Sequence, residues 1–144
     1  MKIRKDFVSN SSSCSFVISN PTGCVEAFSK LLEMPIDDII ADLASNYVSD
    51  LNELQVYVFE DDTTWDSTEM TFLEFLEAYA KKPLDSTNIV EFQCDDYEAA
   101  KKTMLKYLYY AFKKCGYKVN ADSSEHEFLY ETSSKVTEKL SKLA

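Results

Sequence analysis

Five carboxylates crowd one short stretch of the chain: Glu60, Asp61, Asp62, Asp66 and Glu69. Hard cations such as Mg²⁺ or Ca²⁺ take oxygen ligands, and so dense a set could supply them. The spacing lacks the glycine that an EF-hand loop needs at its sharp turn. No lysine stands with a carboxylate on adjacent strand positions, as a nuclease-like centre would require. A solvated acidic loop holding no metal is the expectation. His126 is the one histidine, so any imidazole acid–base pair must use it. Cys14 is the thiol to set against it, with Asp6 or Glu127 to orient the ring. A lone histidine beside a predicted hairpin reads instead as an exposed side chain. Two glycines, Gly23 and Gly116, cannot build the loops that bring backbone amides against phosphates, so neither a P-loop nor a dinucleotide fingerprint is present. No cofactor is expected.

Residue types that suit binding are easier to find. Trp65 stands inside the acidic stretch. A tryptophan there folds back on the core as a lid, the commoner arrangement, or stands out as an anchor of the kind enriched at interface hot spots. Lys102, Lys106, Tyr109 and Lys113 fall within about 60° of one another on a helical wheel. Basic residues with an aromatic between them could touch nucleic acid or an acidic partner, although a solvated face explains them as well. The candidate interaction residues are therefore Asp61, Asp62, Trp65, Asp66, Glu69, Lys102, Lys106, Tyr109 and Lys113.

Charge decides which partner is favoured. The net charge of −10 divides into +2 over residues 1–30, −16 over residues 31–98 and +4 over residues 99–144. So acidic a chain is a poor ligand for bare duplex DNA, because phosphate attraction dominates such affinity. A protein with a basic surface suits it better. No apolar run approaches the roughly 18 residues that a membrane span needs, and the start lacks the apolar core of a secretory signal. A cytoplasmic protein without membrane contact is expected. Cys14, Cys24, Cys94 and Cys115 contain no Cys-x-x-Cys pair and read as small reduced core residues.

The positioning elements follow from pattern. Residues 15–19, 54–60 and 88–94 are β-branched and aromatic and read as strands. Thr22 is placed to cap a helix carrying Val25, Phe28, Leu31 and Leu32. Pro35 ends it and opens another, with Asp37 and Asp38 in the first turn, where the helix dipole favours carboxylates. Asp61 to Met70 reads as an exposed loop. Thr71 and Glu74 form a capping-box pattern ahead of Phe72, Phe75, Leu76 and Tyr79. The longest helix starts from Asp95 or Asp96 and runs to about Cys115, with Tyr97, Ala100, Met104, Leu108, Ala111 and Cys115 as its apolar stripe. Residues 117–121 and 125–130 suggest a hairpin, and Ser133 or Ser134 a cap for a closing helix through Val136 and Leu140. The order predicts one globular domain over residues 1–144, α/β or α+β in class. Its small mixed sheet has about four to five strands packed by about five helices.

The first eighteen residues, KIRKDFVSNSSSCSFVI after Met1, resemble an N-terminal signature of uncharacterised proteins from Gram-positive bacteria and their phages. That signature is close to K-x-R-x-D-F-V-x-N-S-S-S-S-S-F-I. Lys2, Arg4, Asp6, Phe7, Val8, Asn10, Ser11, Ser12, Ser13, Ser15 and Phe16 match it, and Cys14 replaces the usual serine. The resemblance implies a bacterial or phage origin and assigns no activity. Physically, the Asn–Ser run is a turn former, with Phe7-Val8 and Phe16-Val17-Ile18 anchoring either side. The reading that results is a non-catalytic acidic interaction protein. Inhibition of a host nucleic-acid-handling complex, as anti-CRISPR proteins do, is its closest analogy. The alternatives are a small hydrolase or metal-dependent enzyme using Cys14 and His126 or the acidic loop, and a homo-oligomeric structural protein.

Overall fold

Antiparallel pairing governs the architecture. The computed structural model describes residues 13–45, 49–95, 99–122 and 135–143. In chain order they form β1 (Ser13–Ser19), α1 (Cys24–Leu32), α2 (Ile36–Ser45), the single turn α3 (Ser49–Asn52), β2 (Gln55–Phe59) and β3 (Ser67–Thr71). Then come α4 (Phe72–Tyr79), β4 (Ile89–Asp95), α5 (Ala99–Lys114), β5 (Lys118–Asp122) and α6 (Lys135–Ser141). The five strands lie in the order β3-β2-β4-β1-β5. Every ladder is antiparallel, so the sheet is not mixed as the alternation of elements had suggested. The reason lies in the connections. β1 to β2, β3 to β4 and β4 to β5 each join strands that run the same way but lie two places apart. An oppositely directed strand fills each gap, in the manner of split β-α-β units. The class is α+β.

Alternation along the strands sends one set of side chains to the helices. Cys14, Phe16 and Ile18 of β1, Val56 and Val58 of β2, and Val90, Phe92 and Cys94 of β4 all enter the main core. The helices answer with Val25, Phe28 and Leu32 of α1, Ile39 and Leu43 of α2, and Phe72, Phe75 and Leu76 of α4. From α5 come Met104, Leu105, Leu108, Ala111 and Phe112. Leu105 and Phe112 were absent from the expected stripe, which read the helix as narrower than it is.

Local chemistry sets the ends of the elements. Thr71 and Glu74 make the full capping box: Glu74 N donates to Thr71 Oγ1 at 3.3 Å, and Thr71 N donates to Glu74 Oε1 at 2.9 Å. The bond from the Thr71 backbone, then that from its side chain, hold the Glu74 carboxyl below its ordinary range. Thr22 is not the cap of α1. Gly23 takes that place at φ 66°, and Thr22 Oγ1 donates to Asn20 Oδ1 at 2.8 Å instead. Gly116 follows α5 at φ 95°, a left-handed conformation that suits glycine. Of the two caps proposed for α5, Asp95 is instead the last residue of β4, while Asp96, the second strand of the C-terminal hairpin, and Ser133 and Ser134 lie outside the described residues. The amide of Val136 in α6 is met by Asp42 Oδ2 of α2 at 3.0 Å, a long-range cap that no local pattern announces. Asp61 to Met70 is only partly loop, because Ser67–Thr71 pairs with β2 as a short polar edge strand.

The end of α5 docks on the start of α1. Cys115 Sγ faces Ala27 O at 3.6 Å, and the Tyr117 hydroxyl donates to Thr22 O. Burial pushes the Cys24 thiol from an ordinary 9.0 up to about 12, and burial also raises Tyr117 from 10.0 to about 12. Folded-state values above the unfolded ones mean that this stability is complete at low pH and lost as pH climbs. The melting temperature should therefore fall between about pH 9 and about pH 12, and Cys24→Ala should flatten that fall. Phe92→Ala, which removes a ring at 0% exposure, should cost about 3–5 kcal/mol, a large part of a typical total of about 5–15 kcal/mol. Thr71→Ala should cost about 1 kcal/mol in urea denaturation. The part contributed by Glu74 should be present at neutral pH and vanish as the carboxyl protonates in acid.

Candidate functional site

The acidic stretch is built as a short loop between two paired strands, with a fixed root and an open tip. Phe59, the last residue of β2, is fully buried. Asn88, just ahead of β4, donates its Nδ2 to Phe59 O at 3.0 Å and to Glu60 O at 3.3 Å, which pins the chain where it leaves the sheet. Asp61 then organises the turn. Its Oδ1 accepts from Thr63 N at 2.8 Å, Thr63 Oγ1 at 2.7 Å and Thr64 N at 3.1 Å. That is a side chain spent on local backbone, as aspartate commonly is in turns.

Beyond it Trp65 is 53% exposed, the one large apolar side chain in solvent among the described residues. The lid arrangement is therefore not the one adopted. Asp66 and Glu69 are exposed on the same segment, and Asp62 is half-buried. Asp62, Trp65, Asp66 and Glu69 thus share one edge of the molecule with Asp61 as their internal strut. Among the described residues no group of three or more histidine, cysteine, aspartate or glutamate side chains is arranged to hold a metal ion.

Lys102, Lys106, Tyr109 and Lys113 share a face of α5, as their spacing predicts, but the tyrosines are tied inward. Tyr109 meets Phe16 edge-on at 6.0 Å and Tyr110 at 5.2 Å. Lys113 Nζ lies 5.6 Å from the centre of the Tyr109 ring, and Lys106 Nζ lies 6.0 Å from that of Tyr110. Cations over aromatic faces are worth about 0.5–1 kcal/mol at exposed sites. Lys102 is half-buried. The face is thus partly occupied by its own cation–π pairs. Because α5 packs on β4, β1 and β5 while the loop joins β2 to β3, the two sets are carried by different elements and different strands.

Cys14 is buried at 2% exposure in the core. A substrate could not reach it without opening the sheet, and His126, Asp6 and Glu127 lie outside the described residues. Sequence reasoning missed the second face of the sheet. There the register sets Glu69, Tyr57, Glu91, Val17 and Asn120 in one row across all five strands. Glu91 is fully buried, and Val17, Phe59 and Ile89 form a separate small apolar cluster with Tyr57. Tyr57 donates to Gln55 Oε1 at 2.9 Å. Burial first, then the carboxylates of Glu69 and Glu91, push its phenol above the ordinary 10.0. The Ser15 hydroxyl and the Asn120 amide nitrogen are buried there without a hydrogen-bond partner among the described residues. The signal was the period-two pattern of residues 89–94, which puts Glu91 and Gln93 opposite Val90, Phe92 and Cys94.

Compared with protein families, with curated proteins and with solved structures, the chain finds no match. Argument about its function therefore rests on the geometry above.

The loop makes a sharp distinction between its carboxylates. Asp61→Ala should loosen the turn, cost about 1 kcal/mol and change the emission of Trp65, since it removes three accepted hydrogen bonds. Asp66→Ala should leave melting and emission within error, as exposed substitutions away from caps and networks stay within about 0.5 kcal/mol. Fluorescence and thermal melts on the two variants decide it.

Proposed function

We propose that the chain is a non-catalytic interaction protein that presents its β2–β3 loop to a basic surface on another protein. The observation that carries this reading is Trp65, exposed to 53% at the tip of a loop whose root is held by Asn88 and whose turn is held by Asp61. An indole left in water gains on association, because it offers a large apolar area at small conformational cost. The carboxylates around it supply direction. Asp66 and Glu69 sit at the rim, where charges set encounter rate and exclude wrong partners more than they add affinity. A pre-ordered turn also lowers the entropy lost on binding.

Proteins that handle nucleic acids carry basic surfaces for phosphate, and an acidic loop of this kind competes for them. Inhibition of such a complex, in the cytoplasm of a bacterium or by a phage within it, belongs to this same reading. The N-terminal resemblance supports that setting.

The test compares three full-length proteins: the parent, Trp65→Ala, and Asp62→Asn with Asp66→Asn. Each is used to capture proteins from a Gram-positive bacterial lysate across a salt series. The parent should retain a basic protein. Trp65→Ala should weaken that retention by about 2 kcal/mol or more, over tenfold in affinity. The aspartate pair should flatten the salt dependence. Asp61 is left unchanged, since its loss would disorder the turn and confuse the result. Trp65 is the single tryptophan, so its emission should move to the blue when the purified partner is added. Equal capture by all three proteins, with the same salt slope, would refute the reading.

A further inference from the structure

Cys14 of β1 and Cys94 of β4 stand directly opposite each other in the antiparallel ladder. Such partners hold their Cα atoms about 5.5 Å apart when they exchange hydrogen bonds and about 4.5 Å apart when they do not. Both separations fall inside the roughly 4.4–6.8 Å that a disulfide spans. Residues in register project to the same face. Both stand outside any disulfide and lie in one buried cluster, at 2% and 6% exposure. The sequence hides this pair completely, because its members lie eighty positions apart and no Cys-x-x-Cys spacing marks it.

We propose that Cys14 and Cys94 form an oxidisable site, closed to a cross-strand disulfide by a low-molecular-weight disulfide such as oxidised glutathione. Cys94, the more exposed of the two, loses its proton to water and attacks one glutathione sulfur. The glutathione disulfide bond breaks, one glutathione thiolate leaves, and a mixed disulfide remains on Cys94. Cys14, deprotonated in turn, attacks the Cys94 sulfur and expels the second glutathione thiolate. The two released protons return to the two leaving thiolates. The protein has lost two electrons and gained one S–S bond, and glutathione disulfide has become two thiols.

The ladder gives the reagent a way in. Only the Ser13–Asp95 rung lies beyond Cys14–Cys94 in the described pairing. Opening the end of a strand needs far less free energy than unfolding the whole. Geometry also sets the character of the bond. Opposed residues hold their Cβ atoms about 4.5–5.5 Å apart, against the roughly 3.5–4.5 Å that a disulfide prefers. Closure therefore draws the two strands together and stores strain, which makes a bond easier to reduce. The site is reversible by design of the ladder. Neither Cys24 nor Cys115 lies in a strand, so neither stands opposite another cysteine in the sheet.

The experiment uses the unmodified full-length chain, folded by circular dichroism, equilibrated with oxidised glutathione, quenched in acid, alkylated and digested. The expected result is an intact mass lower by two hydrogens, one cross-linked peptide pair containing Cys14 and Cys94, and return of both thiols on adding reduced glutathione. A Cys24→Ser, Cys115→Ser double variant should give the same cross-link, which shows that the other thiols are not needed. A folded chain that keeps all four thiols, that joins a different pair, or that stops at stable glutathione adducts would overturn the proposal. Since the main measurement needs no substitution, a variant that fails to fold does not obscure it.

Discussion

The Phe16–Phe92 stack is the constraint from which the remainder follows. These residues are register partners on the central strand β4 and its neighbour β1, their rings 4.6 Å apart and 13° from parallel. A slip of one residue between β1 and β4 would break that stack. It would also turn Cys14, Phe16 and Ile18 to the other face of the sheet. Phe92 further meets Phe75 and Phe112, each at 5.6 Å, and Phe72 at 6.1 Å, so one side chain ties the middle of the sheet to α4 and α5 together. Phe28 closes the circuit from α1, 5.4 Å from Phe112 and 5.8 Å from Phe72. Ring pairs at such separations add about 0.5–1.5 kcal/mol each beyond the area they bury. Fold and register are thus over-determined at the centre.

The edges carry no such obligation. β3 is a short strand of Ser, Thr, Glu and Met whose outer side is exposed, and polar, short edge strands resist pairing with other chains. The acidic loop hangs from this edge through Phe59 and Asn88. Its exposed carboxylates therefore add little to stability, since surface charges contribute about 0–1 kcal/mol at most. Where a rigid core carries an exposed loop, residue types at its surface can answer to binding. That division gives the exposed Trp65 its weight, because a ring that served only the core would be in it.

Much of this was legible in the sequence, and the rest was hidden for definite reasons. The capping box at Thr71 and Glu74, the break at Pro35 and the glycine after α5 are local signals written by neighbours within four residues, and they read correctly. The strands around Phe16, Val56 and Phe92 showed as β-branched and aromatic runs. Pairing direction was not readable, because each helical crossover skips a strand and only the finished sheet shows what fills the gap. The Asp42–Val136 cap, the Cys14–Cys94 rung and the row from Glu69 to Asn120 are all products of tertiary register, and no window of sequence contains both partners. Trp65 failed in another way. Its environment in sequence is polar whether it folds in or stands out, so only packing could separate the two.

The two faces of the sheet treat carboxylates in opposite ways, and the contrast bears on function. Asp66 and Glu69 keep their water, whereas Glu91 is enclosed at the middle of the second face with Tyr57 on one side and Val17 on the other. Burying a carboxyl group costs free energy unless partners restore what hydration gave. Nothing about the first face demands that cost, since its eight core positions on β1, β2 and β4 are apolar without exception. A chain assembled only for stability would place valine or isoleucine at residue 91, as it does at its neighbour 90. The second face thus carries a buried polar row that the first face lacks. Its row of polar side chains reaches the same β3 edge as Trp65, through Glu69 and Tyr57. The buried row thus runs out to Glu69 on the β3 edge, the strand that follows the acidic loop, so the sheet register joins the one deeply buried carboxylate described in the molecule to an exposed one.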